Sequence, residues 1–286
     1  AQVRADVYGL DELPPPGPAD DTVSRAVGVA GVDISFPLVR RDGARTIVLE
    51  PLLQVALSPD VDLDTSIPNE DSGVLEFDET NLLRANKFPG FDRYEGGQRV
   101  NVGARASVMY DDGRGGSILV GRSYRSEPDP QFPTRSGLQT RKSDWIVAAE
   151  GRPLESVSFF TRARFSEDKG DVRRFEAGVD VDTTRARGFV RYLRDNQDIT
   201  GVKREDLDFA GDVMISGNWG VTFAGVRDIE NGVWRRQEFG GLYRDDCLDI
   251  AVVWVHEETY NRSLGPSDSV ILRLTLATLG DKGYSQ

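Results

Sequence analysis

Apolar and polar residues alternate with a period of two along almost the whole chain, and helical spacing is nearly absent. From Arg99 to Tyr110, Val100, Val102, Ala104, Ala106, Val108 and Tyr110 share one face, while Arg99, Asn101, Gly103, Arg105, Ser107 and Met109 share the other. From Arg174 to Asp182, Phe175, Ala177, Val179 and Val181 oppose Arg174, Glu176, Gly178, Asp180 and Asp182. Leu207, Phe209, Val213 and Ile215 oppose Asp208, Asp212 and Ser216, and Val270, Leu272, Leu274 and Leu276 oppose Arg273 and Thr275. The pattern predicts about fourteen strands, at 2–10, 26–38, 46–58, 97–110, 115–124, 144–152, 157–166, 172–182, 186–194, 206–216, 219–228, 235–243, 247–257 and 269–279. A soluble strand averages about 5–6 residues, and a bilayer-crossing strand tilted at about 45° needs about 9–11. Strand length therefore points to an all-β, transmembrane antiparallel barrel. Segment 115–124 breaks the pattern, because Ile118 and Leu119 fall on opposite faces and Arg122 shares a face with Val120.

The polar faces carry full charges at mid-strand: Arg105, Arg162, Arg164, Glu176, Asp180, Arg187, Arg191 and Asp212. A water-filled lumen tolerates these and a lipid face does not. Aromatics gather near strand ends, at Tyr8, Phe36, Tyr110, Tyr124, Trp145, Tyr192, Trp219, Tyr243 and Trp254, as interfacial girdles do. The connections alternate too. Segments 39–45, 111–114, 153–156, 183–185, 217–218 and 244–246 are short, and most of those between them are longer. Outer-membrane barrels pair short periplasmic turns with long outer loops. With a periplasmic C-terminus, every short turn and the first residue fall on the periplasmic side. The longest connection, 59–96, has helical cues around Glu79–Lys87, capped by Asp78-Glu79-Thr80-Asn81 and ended by Pro89-Gly90. Segment 11–21, with its proline run, reads as a stiff outer loop.

Composition narrows the function. The net charge of −12 argues against a nucleic-acid binder, which needs a basic surface. No apolar run is long enough for a transmembrane helix. One histidine and one cysteine leave no zinc set and no internal disulfide. His256-Glu257-Glu258 lacks the second histidine of a zinc-protease motif. Asn69-Glu70-Asp71 with Asp78-Glu79 is a carboxylate cluster without EF-hand spacing, better read as a solvated loop. Asn261-Arg262-Ser263 fits a glycosylation sequon, which is without meaning in a bacterium. The chain is read as a non-enzyme without cofactor or metal. The inward arginines, Arg273 included, could contact sugar phosphates or pair with Glu176, Asp180 and Asp212 across strands, and pairing is the preferred reading. Cys247 begins a strand, points inward in phase with Asp249, Ala251 and Val253, and falls at the periplasmic rim. An odd cysteine there suggests a partner elsewhere, the alternative being a lone thiol. An Ala-Gln start without methionine suggests a mature exported chain or a fragment of a longer one.

Several stretches resemble the LptD family, the lipopolysaccharide-assembly proteins of the outer membrane also called organic-solvent-tolerance proteins. Ile67-Pro68-Asn69-Glu70-Asp71-Ser72, Phe77-Asp78-Glu79-Thr80-Asn81-Leu82-Leu83 and Phe88-Pro89-Gly90-Phe91-Asp92-Arg93 with Gly96-Gly97 carry the resemblance. Leu49-Glu50-Pro51 with Gln54, and Tyr243-Arg244-Asp245-Asp246-Cys247, extend it, and Gly280-Asp281 is similar to an alphaproteobacterial ending. The resemblance implies a barrel of about 26 strands behind a periplasmic jellyroll, with this chain as the C-terminal part and 59–96 as a long extracellular loop. It implies that lipopolysaccharide arrives from an LptA-like periplasmic bridge, with its glycan entering the lumen and its lipid tails leaving sideways between the first and last strands. An LptE-like lipoprotein would plug the lumen, and the barrel-assembly machinery would fold the chain. Ser269, Val270, Ile271, Leu272, Arg273, Leu274, Thr275 and Leu276, within Ser269–Leu279, would then form the C-terminal gate strand. Cys247 would bond a cysteine of the N-terminal domain. Two alternatives differ in kind: a self-closed channel of about fourteen strands, and a secreted soluble all-β carbohydrate-binding protein with short strands and a dry apolar core.

Overall fold

The computed structural model describes residues 1–9, 22–60, 67–196, 201–258 and 265–276. The proline-rich 11–21 loop, the sequon at 261–263, Gly280-Asp281 and the last three residues of the 269–279 strand lie outside the described residues. Within them the structure is all-β, and no helix is long and apolar enough to cross a membrane. The strands are β1 (Gln2–Gly9), β2 (Thr22–Ser35), β3 (Leu38–Asp42), β4 (Arg45–Ser58), β5 (Gly97–Tyr110), β6 (Gly115–Arg125), β7 (Trp145–Leu154), β8 (Val157–Phe165), β9 (Val172–Asp182), β10 (Ala186–Asp195), β11 (Arg204–Ser216), β12 (Trp219–Asp228), β13 (Val233–Arg244), β14 (Leu248–Glu257) and β15 (Ser267–Leu276). Their order in the sheet follows the chain, β1-β2-β4 onward to β15, with β3 paired to β4. The chain divides into two compact units, Ala1–Ala149 with Arg162–Arg174, and Glu150–Thr161 with Phe175–Gln286.

In the first unit the expected turn at 39–45 is mostly strand. Leu38–Asp42 pairs with Arg45–Leu49, and the reversal is confined to Gly43-Ala44, where Gly43 takes a φ of 60°. β2 and β3 read as one strand interrupted at Phe36-Pro37. β2 meets β4 at Ser35↔Leu52 and β3 resumes at Leu38↔Leu49. Pro37 has no N–H to give to the ladder, so the pairing lapses there. This adds a fifteenth element to the expected fourteen.

The ladders put the apolar face outward. Val32, Ile34, Leu49 and Leu57 are exposed at 61%, 51%, 48% and 50%, whereas Gln54, Arg99 and Asn101 are at most 4% exposed. A soluble protein does the reverse, and a strand between lipid and a filled interior does this. Segment 115–124 follows the same rule without a register shift, Arg105↔Leu119 and Asn101↔Ser123 included. Leu119 lies on the covered face and is buried. Arg122 does share its face with Val120, but its guanidinium donates to the Ser143 carbonyl at 2.5 Å and sits 5.1 Å and 4.9 Å from the Tyr124 and Trp145 ring centres. Aromatic rings shield that one charge on an apolar face.

The second unit contains the meander β10 to β15, in which each strand pairs with the next. Register shifts at Met214/Ser216 and Val226/Arg227 mark its irregularities. Gly217, at φ 51°, makes the tight β11–β12 turn with Asn218, beside which Trp219 and Tyr243 meet edge-on at 5.1 Å. Val270, Leu272, Leu274 and Leu276 line one side of β15 and are exposed. Arg273, on the other side, reaches Glu238 of β13 at 2.7 Å. Strands of this length with exposed apolar faces do not fit the soluble carbohydrate-binding alternative.

A charge on the lipid side of β15 should therefore cost about 2–4 kcal/mol at the bilayer midplane. Leu272→Arg and Leu274→Arg are expected to reduce the heat-modifiable folded band on a semi-native gel, and Thr275→Lys to leave it nearly intact. Equal losses from all three would overturn the assignment of faces.

Candidate functional site

Residues 67–96 are not a passive connector. They fold down on the covered faces of the first unit's strands. Leu75, Phe77, Leu82 and Phe88 join Phe132 and Leu138 in one apolar cluster seated on Leu52, Leu119 and Ile146. Phe88 and Phe132 stack at 4.5 Å. The cluster takes the few apolar side chains that point to the polar side and closes them off with loop residues.

At the edge of this cluster lies a fully buried carboxylate, Glu95. It accepts from Arg125 at 2.7 Å, lies 3.5 Å from the Lys87 ammonium and 3.6 Å from Arg99, and takes the Lys87 backbone N–H at 3.1 Å. From Lys87 the bonds run on to Asn101, from Asn101 to Gln54, and from Gln54 to Asp33 and the Leu83 carbonyl. Arg99 holds the Ala85 carbonyl and, at 3.1 Å, the Ser58 hydroxyl. One polar chain thus joins β2, β4, β5 and β6 to loop residues 83–95. Burial draws the Lys87 ammonium down to about 8, though Glu95 beside it opposes the shift. Burial likewise raises the Asp129 carboxyl, against the N–H of Gln131 and the charge of Arg125.

The residues 67–93 that carry the family resemblance form a reciprocal clamp. Asp71 accepts the backbone N–H groups of Phe91 and Asp92 at 2.7 and 3.0 Å, and Asp92 accepts those of Glu70 and Asp71 at 2.8 and 3.1 Å. Burial disfavours the Asp71 anion, but these N–H groups and the Ser72 hydroxyl outweigh it and hold the carboxyl below its ordinary range. Gly90 is required, because a Cβ there would lie 2.1 Å from Asp71 Oδ1. Asn69 accepts the Ser72 N–H, Arg93 donates to the Ile67 carbonyl, and Pro68 lies between these two points. Arg4 and Arg25, from β1 and β2, donate to the Phe91 and Asp92 carbonyls.

The expected helix near Glu79–Lys87 is a single turn, closed by Leu82 N–H to the Asp78 carbonyl at 3.1 Å. Asp78 caps it through the Thr80 N–H, but the Asn81 side chain takes the Asp78 N–H and donates to the Glu76 carbonyl, tying the turn to the preceding chain instead of extending it. Glu79 bonds Arg162 at 2.6 Å. The carboxylates at 70–71 and 78–79 therefore serve separate roles, and among the described residues no acidic, histidine or cysteine group could hold a metal ion.

Several inward charges are paired, Asp212 among the expected partners and others with carboxylates outside that expected set. Arg105 meets Glu50 directly across the β4–β5 ladder at 3.5 Å. Arg164 reaches Glu76 and Asp144 at 3.1 and 3.6 Å, because the long loops descend onto its face. Arg187 takes Asp182 at 3.1 Å, although Asp212 stands opposite it in register. Asp212 takes Arg244 at 2.9 Å. Arg191 lies opposite Asp208 and over the Phe189 ring at 4.5 Å, and Arg273 takes Glu238. Glu176 and Asp180 lie on β9. Cys247 does not begin a strand. It stands one residue before β14, exposed, with its N–H on the Asp245 carboxylate at 2.9 Å. His256 faces Asp268 at 3.0 Å. The buried group around Glu95 is absent from the sequence-based candidates. Its members look like ordinary surface charges until the loop covers them.

One-sided apolar strands of bilayer-crossing length, with a covered and charge-paired opposite face, define an outer-membrane β-barrel chain. The family model described as LptD, LPS transport system D, matches residues 1–222, and the chain belongs to that family. It is a transport family, not an enzyme family, of the cell outer membrane. No curated protein matches the chain. Among solved structures it is similar to the copper transporter OprC, with a TM-score of 0.36, 10% identity and 95% of this chain covered. The chain spans 52% of that transporter's length. Two engineered variants of the Rhodopseudomonas blastica porin match with a TM-score of 0.31, 10% identity, and 96% of this chain and 100% of the porin covered. The family match, not these likenesses, carries the assignment.

Glu95→Gln should destabilise the folded protein by about 3–5 kcal/mol in urea titration, since three buried cations lose their counter-charge. Arg105→Gln, at a more exposed pair, should cost about 1 kcal/mol or less. The Asp71 carboxyl ionises below its ordinary value, so the stability it confers is complete above about pH 4 and is lost as pH falls through the folded value. Protease resistance of residues 67–96 should follow that profile, and Asp71→Asn should abolish the pH dependence. Gly90→Ala should expose the same segment at neutral pH.

Proposed function

We propose that this chain is the C-terminal part of an outer-membrane translocon that sets lipopolysaccharide into the outer leaflet. In this reading the glycan passes along the polar side of the strands and the lipid tails leave sideways through a seam of which β15 forms one edge. The observation that carries it is the charge arrangement of the polar faces. Both signs are present, and Arg105, Arg164, Arg187, Arg244 and Arg273 already hold carboxylates. Such a surface wets a large anionic glycan without gripping it, because these cations are neutralised beforehand. Segment 59–96 is then an extracellular loop. Arg105, Arg162, Arg164, Glu176, Asp180, Arg187, Arg191 and Asp212 face the lumen. Cys247 bonds a cysteine of a periplasmic N-terminal domain. That domain receives cargo from an LptA-like bridge, an LptE-like lipoprotein plugs the lumen, and the barrel-assembly machinery inserts the whole.

The test is depletion of the protein in its own cells, with outer-leaflet lipopolysaccharide read by antibody labelling of intact cells. Loss of newly exported lipopolysaccharide at constant porin levels is expected, and unchanged labelling would overturn the proposal. An immunoblot of outer membranes against residues 67–96 should show a band well above 31.6 kDa. A band at that mass would favour a small self-closed channel instead.

A further inference from the structure

In the first unit, the β1–β2 ladder and the folded loop border an open cavity of about 340 Å³. Gln2 and Arg4 enter it from β1, Arg84 and Asn86 from the loop, with Phe91 and Tyr94 beside them. No carboxylate lines it, in a chain whose net charge is −12. The volume lies within the range of about 300–1,000 Å³ in which small ligands bind.

Its polar groups are unevenly used. Arg4 is tied to Asp6 and to the Phe91 carbonyl. The Arg84 side chain is exposed and has no acceptor among the described residues, whereas Arg4 and Arg25 beside the cavity are both tied to Asp6. Asn86 spends its oxygen on the N–H groups of Phe88 and Glu95, which leaves its NH₂ group as the donor on offer. Phe91 is 65% exposed, held in place by the Asp71–Asp92 clamp and by the Arg4 guanidinium at 5.0 Å from its ring.

We propose that this cavity is a subsite for an anionic sugar unit, one bearing phosphate or carboxylate. A free guanidinium forks onto the anion, amide donors meet the hydroxyls, and an aromatic ring lies under the apolar face of the sugar. The proposal rests on the glycan-passage reading above and adds to it one place where the glycan is held rather than merely wetted. What distinguishes this place is the combination of an unpaired guanidinium, an exposed ring and a cavity without carboxylates.

The intact outer-membrane protein, purified in detergent, is titrated calorimetrically with deacylated, phosphorylated core oligosaccharide, with the same oligosaccharide after dephosphorylation, and with inorganic phosphate. Wild type should bind the phosphorylated form, and Arg84→Gln and Phe91→Ala should each weaken binding about tenfold or more. Both positions are exposed, and a heat-modifiability gel verifies folding of each variant. Dephosphorylation should weaken wild-type binding and leave the Arg84→Gln value unchanged. Wild-type binding that neither variant alters overturns the subsite and leaves the transport reading standing. Inorganic phosphate that competes at equal concentration assigns the cavity to free phosphate and overturns the sugar. Protein that proves dispensable for surface lipopolysaccharide overturns the transport reading, a separate result from either of these.

Discussion

The first unit depends on one buried carboxylate. Glu95 is fully enclosed, with Lys87, Arg99 and Arg125 around it, and those residues come from the long loop and from β5 and β6. None of the four could be buried alone, since an unpaired charge out of water costs several kcal/mol. Together they are possible only when the loop lies on the strands. The network is thus less a source of net stability than a condition on geometry. It admits one seating of the loop, because any other leaves charges of both signs without partners.

That seating explains the inverted distribution of side chains. The strands show apolar residues outward and place Gln54, Arg99 and Asn101 inside. A polar interior cannot supply a hydrophobic core, so the apolar contacts of the first unit come from the loop: Leu75, Phe77, Leu82 and Phe88 closing on Leu52, Leu119 and Ile146. The Asp71–Asp92 clamp is the loop's own fastening. Backbone N–H groups serve carboxylates in both directions, and Gly90 supplies the close approach this needs. Arg4 and Arg25 then attach the clamp to the neighbouring ladder.

Among the described residues, the second unit manages the same polar face by pairing charges across its strands. Arg244 bridges Asp212 and Asp249, Arg235 bridges Asp206 and Asp228, and Glu238 takes Arg236 and Arg273. Each group spans two or more strands, so charge pairing here follows the ladder. The contrast locates where a ligand can be held. In the proposed reading a glycan is only wetted where arginines hold carboxylates, as Arg235, Arg244 and Arg273 do, and meets a contact at Arg84, for which no carboxylate partner stands among the described residues.

The strands were legible because their signal is local. Alternation with a period of two and runs near bilayer length survive any tertiary context, and bounds such as Gly97–Tyr110 and Val172–Asp182 follow from them. The clamp's residues were visible as a resembling motif, but not their purpose. The short strand Leu38–Asp42 was hidden because Pro37 interrupts the pattern, and the helix expected at Glu79–Lys87 gave way to side chains that bond backward along the chain. Which charge pairs with which was less legible. Arg187 stands opposite Asp212 and yet bonds Asp182, and Lys87 reads as an exposed cation until Glu95 is placed against it. Periodicity is a property of neighbours in sequence, so the chain alone determined the all-β architecture and which side of each strand is apolar. Burial of a charge depends on residues far away in the chain, and only the tertiary structure decided which of the described charges are enclosed and which are neutralised.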